Sequence, residues 1–266
     1  MTDQRVPRRS FLTSAAVGVA GAALGVSAVP GLARAAESRA SAVLSGGALD
    51  SAAPTEIKLG VASYSLREIP LDKAIEMIKA LHTPYVNFKS VHMPYEKSTA
   101  ELAALRQQIQ AAGLQIEGGG TITFDKDTDA DVEKFFAYAK AAGMPTIVCT
   151  MDPVVLPRVE KFAKQYDIKV AIHNHGPEDH HFPSPYDVLK GVKGMDPRMG
   201  LCIDVGHTAR TGTDPVKSVL DAGARLHDVH IKDLRDLKDN KSLCVLGEGA
   251  MPIPGIFRAL QAIRFP

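Results

Sequence analysis

The chain has no surplus of charge: 31 Lys and Arg stand against 30 Asp and Glu, for a formal net charge of +1. No Lys/Arg stripe is visible either. The positive field that grips a phosphodiester backbone is therefore missing, and nucleic acid is not expected as a partner. Cysteine is scarce. Cys149, Cys202 and Cys244 are odd in number and widely spaced, which argues against a disulfide framework; the first two fall in apolar runs and read as small buried hydrophobes. No G-x-G-x-x-G turn follows the first expected strand, which disfavours a dinucleotide-binding, doubly wound sheet. Gly118-Gly119-Gly120 does not fit that pattern and reads as a point of close backbone approach at a rim.

What is present begins with an address. Arg8-Arg9-Ser10-Phe11-Leu12 precedes a weakly hydrophobic Ala/Gly-rich run from Ala15 to Ala33, interrupted by Pro30 and followed by the small-x-small pattern Ala33-Arg34-Ala35. This is the pattern of a twin-arginine export signal, with cleavage near residue 35 and a periplasmic or secreted product. The implied partner is the twin-arginine export machinery, and no stable membrane span is expected after cleavage. Residues 36–55 are Ser, Ala and Gly with no apolar period, the composition of a disordered linker. Residues 56–266 are long enough, and at 45% hydrophobic apolar enough, for one domain with a sizeable core.

Along that domain strand and helix patterns alternate. Strands are expected at 57–66, 85–93, 114–124, 146–151, 169–175, 199–207 and 226–233. Helices are expected at 71–81, 98–112, 129–142, 156–166, from Ser184 onward, at 215–222 and at 253–263. Such alternation implies right-handed βαβ units and a parallel sheet, and seven units favour a TIM (β/α)8-type barrel. The helix after strand seven runs directly to Pro266. The expectation is thus a barrel truncated before strand eight, open between strands one and seven and with little activity as it stands.

His173, His175, Asp204, His207 and His230 stand at or just beyond the ends of the runs KVAIHNH, MGLCIDVGH and RLHDVHIKD. A parallel barrel places its reactive groups at the C-terminal strand ends. Imidazole and carboxylate donors from separate strands can surround a divalent ion such as Mn, Co, Fe or Zn. Any one of these histidines alone would read as a hydrogen-bonded core or rim residue. Their convergence at consecutive strand ends is what points to a site. His82, His92, His180, His181 and His227 lie out of phase or outside the cluster and read as surface or supporting residues.

Taken in order, His173-Asn174-His175, Asp204-Val205-Gly206-His207, His230-Ile231-Lys232-Asp233 and Gly247-Glu248-Gly249 resemble the sugar phosphate isomerase/epimerase family. Also called xylose isomerase-like, it includes ketose 3-epimerases and endonuclease IV. The resemblance spans about residues 57–266. It implies that Asp204 and His230 are metal ligands, with His173 in a position usually held by a ligand glutamate, and that His175 and His207 are catalytic and face the substrate, His207 being a ligand in some members. The family's last ligand, a glutamate on strand eight, has no counterpart here. Lys89, Lys232 and Glu248 are weaker candidates for substrate binding at the mouth, and Glu248 is also a candidate stand-in for the missing carboxylate.

The chemistry so implied is divalent-metal-dependent isomerisation or epimerisation of a small-molecule carbohydrate, by proton abstraction next to a carbonyl through an enediolate. Two alternatives stay open: an exported lyase or hydrolase-like enzyme on 3-keto-glycosides using the same site, and an inactive sugar-binding remnant. A nuclease would need a larger metal cluster and a basic face.

Overall fold

The computed structural model describes residues 56–266; the expected signal peptide (1–35) and linker (36–55) lie outside the described residues. Seven strands form a single parallel sheet in sequence order: β1 (Gly60–Ala62), β2 (Tyr85–Phe88), β3 (Gln115–Phe124), β4 (Thr146–Met151), β5 (Lys169–His173), β6 (Met199–Asp204) and β7 (Leu226–His230). Between and after them lie α1 (Leu71–Ala80), α2 (Thr99–Ala111), α3 (Asp129–Ala142), α4 (Leu156–Tyr166), α5 (Pro185–Gly191), α6 (Val205–Arg210), α7 (Pro215–Ala222) and α8 (Ile253–Ala262). A parallel sheet with every neighbour consecutive in sequence curls in one direction. The result is a half-barrel of the TIM type, with helices on its outer face. Among the described residues no strand pairs with the outer edge of β1 or β7.

Local chemistry sets the helix ends. Ser98 and Glu101 form a reciprocal capping box at the start of α2. Thr128 caps α3, whose first turn carries Asp129 and Asp131, and Gly143 ends it in the left-handed region at φ 73°. Alternate strand residues then face opposite ways. Ile147, Cys149, Val170, Ile172, Leu201 and Ile203 pack outward in the main core, with Phe136 of α3 and Phe162 of α4 among the residues buried there. Val148, Ala171 and Cys202 face the other way and form a small separate cluster, the floor of the lumen.

Several strands are shorter than expected. The first closes after Ala62 into a 3-10 turn at Ser63–Leu66, and the second ends at Phe88. The sixth does not continue to His207: the backbone turns into α6 directly after Asp204. The seventh ends at His230, and Asp233–Leu234 (β8) instead pairs antiparallel with Leu243–Cys244 (β9). Apolar patterning continues through these turns because their side chains are still covered, and periodicity alone does not see where the hydrogen-bonded ladder stops. The glycine run of β3 does mark close approach, though to the neighbouring strand rather than at a rim. A Cβ at Gly120 would overlap the Val148 carbonyl oxygen, and one at Gly119 the Met144 side chain.

Candidate functional site

The lumen-facing register of β5 places His173 two residues above Ala171, and that of β6 places Asp204 two above Cys202. Cα pairing sets His173 beside Cys202 and Asp204 beside His230. Three adjacent strands therefore deliver their last inward residue to one spot. Asp204 is also the N-cap of α6: its Oδ1 accepts the His207 backbone N–H at 3.0 Å, which leaves Oδ2 directed at the lumen. Asn174, fully buried, pins the turn. Its Oδ1 accepts the Asp204 N–H at 3.0 Å and its Nδ2 donates to Thr208 Oγ1 at 3.1 Å, while that hydroxyl donates to the Asp204 carbonyl at 2.7 Å. Asn174 enters the sequence reading only as the middle of His173-Asn174-His175, without a role of its own, and Thr208 not at all. The available signal was an amide buried between two site histidines, a polar group that has to be satisfied.

His173 Nε2 lies 2.9 Å from His230 Nδ1 and 3.3 Å from Asp204 Oδ2, and His230 Nδ1 lies 3.9 Å from the same oxygen. Bonds of about 2.1 Å in a tetrahedral set separate the ligand atoms by about 3.4 Å, so these three donors fit a common ion. The oxygen itself is telling. Asp204 Oδ2 is fully buried and receives no well-directed hydrogen bond, although Lys232 Nζ stands 2.6 Å away as an ion-pair partner. Burial pushes against its charge, yet the close approach of the His173 ring at 3.3 Å and the Lys232 cation outweigh it and hold the carboxyl well below the usual range. Burial drives His173 the other way, down to about 3, so its ring is neutral at physiological pH. A neutral imidazole beside an ionised carboxylate is the protonation pattern a metal requires.

Around this trio the remaining candidates divide. His175 and His207, both half-buried, flank His173 with ring centroids 4.2 and 5.9 Å from it and 5.9 Å from each other. Burial lowers both; His207 falls to about 4, with the nearby Lys232 charge adding to the effect against the pull of Asp204. Arg210 donates to His207 Nδ1 at 3.1 Å and pairs with Glu178, which puts the proton of the neutral ring on Nε2. At His175, Asp179 Oδ2 lies 3.5 Å from Nδ1, which favours a proton there and leaves Nε2 free to accept. Arg210 and Asp179, unremarked in the sequence, thus orient the two rings oppositely.

Lys89 lies just past the end of β2 rather than within a strand. It reaches the Thr121 carbonyl at 3.3 Å, stands over the Tyr64 ring, and lines the cavity that also receives His173, His175, His207 and His230. Lys232 lines it too. Glu248 does not: it is exposed and paired with Arg235 at 3.3 Å, so neither the substrate-binding role nor that of replacement ligand is supported by its position. The glycines beside it serve Asp233. That buried carboxylate accepts the backbone N–H groups of Leu234, Gly247, Gly249 and Met251 at 2.8–3.1 Å, and a Cβ at Gly249 would overlap it. The cavity measures about 1760 Å³. That exceeds the roughly 300–1,000 Å³ of ordinary ligand pockets, because it continues into the open side of the half-barrel.

Residues 155–266 match the model of the xylose isomerase-like TIM barrel family, a stretch that contains all four motifs of the resemblance. No curated protein matches the chain. Among solved structures, an uncharacterized protein from Parabacteroides distasonis ATCC 8503 is 28% identical with a TM-score of 0.61, the alignment covering 79% of this chain and 87% of that one. The IolI protein with a bound zinc atom is 17% identical with a TM-score of 0.66, covering 78% and 85%. An L-ribulose 3-epimerase is 16% identical with a TM-score of 0.64, covering 78% of each. The chain shares their fold, and the family resemblance carried by the motif series is borne out.

Proposed function

We propose that this chain is a divalent-metal-dependent sugar isomerase or epimerase that moves a proton on the carbon next to a carbonyl. The observation that carries the reading is the convergence of His173 Nε2, His230 Nδ1 and Asp204 Oδ2 within 3.9 Å of one another at the C-terminal strand ends. These three residues would hold the ion, whose contribution when bound is Lewis acidity toward adjacent carbonyl and hydroxyl oxygens. Names among the structural neighbours, an L-ribulose 3-epimerase and a D-tagatose 3-epimerase-like protein, support a carbohydrate as the small-molecule substrate class.

The proton work falls to His175. Its Nε2 is free, and Asp179 at 3.5 Å supports the protonated ring that forms once a substrate proton is taken up. His207 acts as a donor: with Nδ1 occupied by Arg210, its Nε2–H is available to a substrate oxygen on which negative charge builds. Lys89 and Lys232 reach the same cavity and supply further donors to hydroxyl oxygens. Return of the proton to the enediolate gives an isomer or epimer. A second reading is elimination from a 3-keto-glycoside, in which a β-substituent leaves instead; the same residues would serve it. The N-terminal pattern assigns the protein to the periplasm or the secreted fraction through twin-arginine export, with residues 56–266 as the catalytic domain.

Solvent deuterium exchange into the carbon-bound hydrogens of a ketose panel, followed by NMR with Mn, Co or Zn added, tests the reading. Exchange that needs metal and is lost in His175→Ala supports it. No exchange on any ketose or 3-keto-glycoside with any of the metals refutes it.

A further inference from the structure

A fourth donor reaches the same two imidazoles from below. Cys202 is fully buried on β6, paired in register with His173, and its Sγ lies with one ring nitrogen each of His173 and His230 in a group whose atoms are all within 4.8 Å of one another. The two histidines are thus shared between a hard donor, Asp204 Oδ2, on one side and a soft donor, Cys202 Sγ, on the other. A buried cysteine is by itself only a small hydrophobe. What sets this one apart is its neighbour: Asp204 Oδ2, fully buried and without a directed hydrogen bond, is aimed at the same pair of rings.

Charge makes the thiol more than a bystander. Two neutral imidazoles and one carboxylate leave a divalent ion undercompensated, and that carboxylate is already shared with Lys232 at 2.6 Å. Ion, carboxylate and ammonium together sum to a net charge of +2 in a buried place, where uncompensated charge is costly. One more anion among the ligands lowers this to +1. Glu248 is turned away toward Arg235, whereas Cys202 is at hand. We propose that Cys202 is a metal ligand of this site, bound as thiolate beside His173, Asp204 and His230, and that it biases the centre toward thiophilic ions such as Zn and Co over Mn. As the sulfur–metal bond forms the S–H bond breaks and its proton passes to solvent, with no change of oxidation state. A zinc–sulfur bond of about 2.3 Å in a tetrahedral set puts sulfur and ring nitrogen roughly 3.6 Å apart, so the group, whose atoms lie within 4.8 Å of one another, contracts when the ion binds.

The proposal rests on the metal-site reading above, and cobalt(II) separates the two. Titrating the metal-free full chain with Co(II), we expect visible d–d bands, which report the bound ion whatever its ligands. A near-ultraviolet sulfur-to-cobalt charge-transfer band should appear with them, reporting sulfur ligation. The charge-transfer band should vanish in Cys202→Ser and Cys202→Ala while the d–d bands persist, and it should survive in Cys149→Ala, a control for the other fully buried thiol. Preference for Zn over Mn, measured by competition, should fall by about tenfold or more in the Cys202 variants. Circular dichroism of each variant identifies any that fails to fold, and the wild-type band alone remains decisive. Visible bands without charge transfer in the wild type, or charge transfer that survives Cys202→Ala, would overturn the assignment of Cys202 and leave the metal-site reading intact. Absence of any cobalt band would overturn both.

Discussion

Replacing Asp204 by Asn separates the metal site from the fold, because the substitution removes a charge while keeping the shape. The Asn side-chain oxygen can still accept the His207 N–H that Asp204 Oδ1 accepts at 3.0 Å, so the cap of α6 survives; Ala would lose that cap at a cost of about 1 kcal/mol. Without metal two effects oppose each other. The mutation releases the desolvation cost of a fully buried carboxylate, and it deprives Lys232 of its partner at 2.6 Å. The lysine side chain is 35% exposed and can swing into water, so its loss is screened and the two effects nearly cancel. We expect the metal-free Tm to change by no more than a few degrees. Nothing offsets the loss once an ion is present. Removing one partner of a buried charge pair costs about 3–5 kcal/mol, which at 1.4 kcal/mol per decade is a fall of roughly 10²- to 4 × 10³-fold in metal affinity. Calorimetric titration of wild type and Asp204→Asn with Zn, Co and Mn measures it. Equal affinities, or a metal-free variant that melts far below the wild type, would refute the assignment of Asp204 as a ligand.

Three further outcomes are expected. His175→Ala should slow deuterium exchange into substrate by about 10²- to 10⁴-fold while shifting metal affinity only a few-fold, since His175 lies beside the donor trio and not in it; a comparable loss of metal binding would place it among the ligands instead. The metal-free protein should lose stability as the pH falls from about 6.5 toward 3, because the unfolded His173 takes up a proton that its buried, neutral native ring refuses until about 3. This contributes up to about 1.4 kcal/mol per pH unit, and His173→Asn should flatten that slope in acid denaturation monitored by circular dichroism. Asp233→Asn should destabilise the chain by about 1–3 kcal/mol through its four backbone partners, whereas Glu248→Gln, an exposed pair, should cost under about 1 kcal/mol and leave metal binding unchanged; urea unfolding with the ranking reversed would sink that reading of the loop.

The alternation of apolar runs and capped helices was sufficient to read every strand of the seven-stranded sheet and its parallel sense, because each of those features is a local period or a local stop signal. The candidate ligands were legible for a related reason. In a parallel barrel the end of each strand points to one rim, so His173, Asp204 and His230 could be placed together from their positions in three runs. Other features depended on distances between residues far apart in the chain. The turn from β6 straight into α6 moved His207 from a strand to a helix, and Arg210 and Asp179 then set the opposite orientations of the two candidate catalytic rings. Glu248, promising beside two glycines, is held away by Arg235 while the glycines' N–H groups bind Asp233. Cys202 looked like a core hydrophobe because its sequence neighbours are apolar. Only the register of β5 on β6, a relation between strands that no single segment encodes, brings its sulfur up to the histidines.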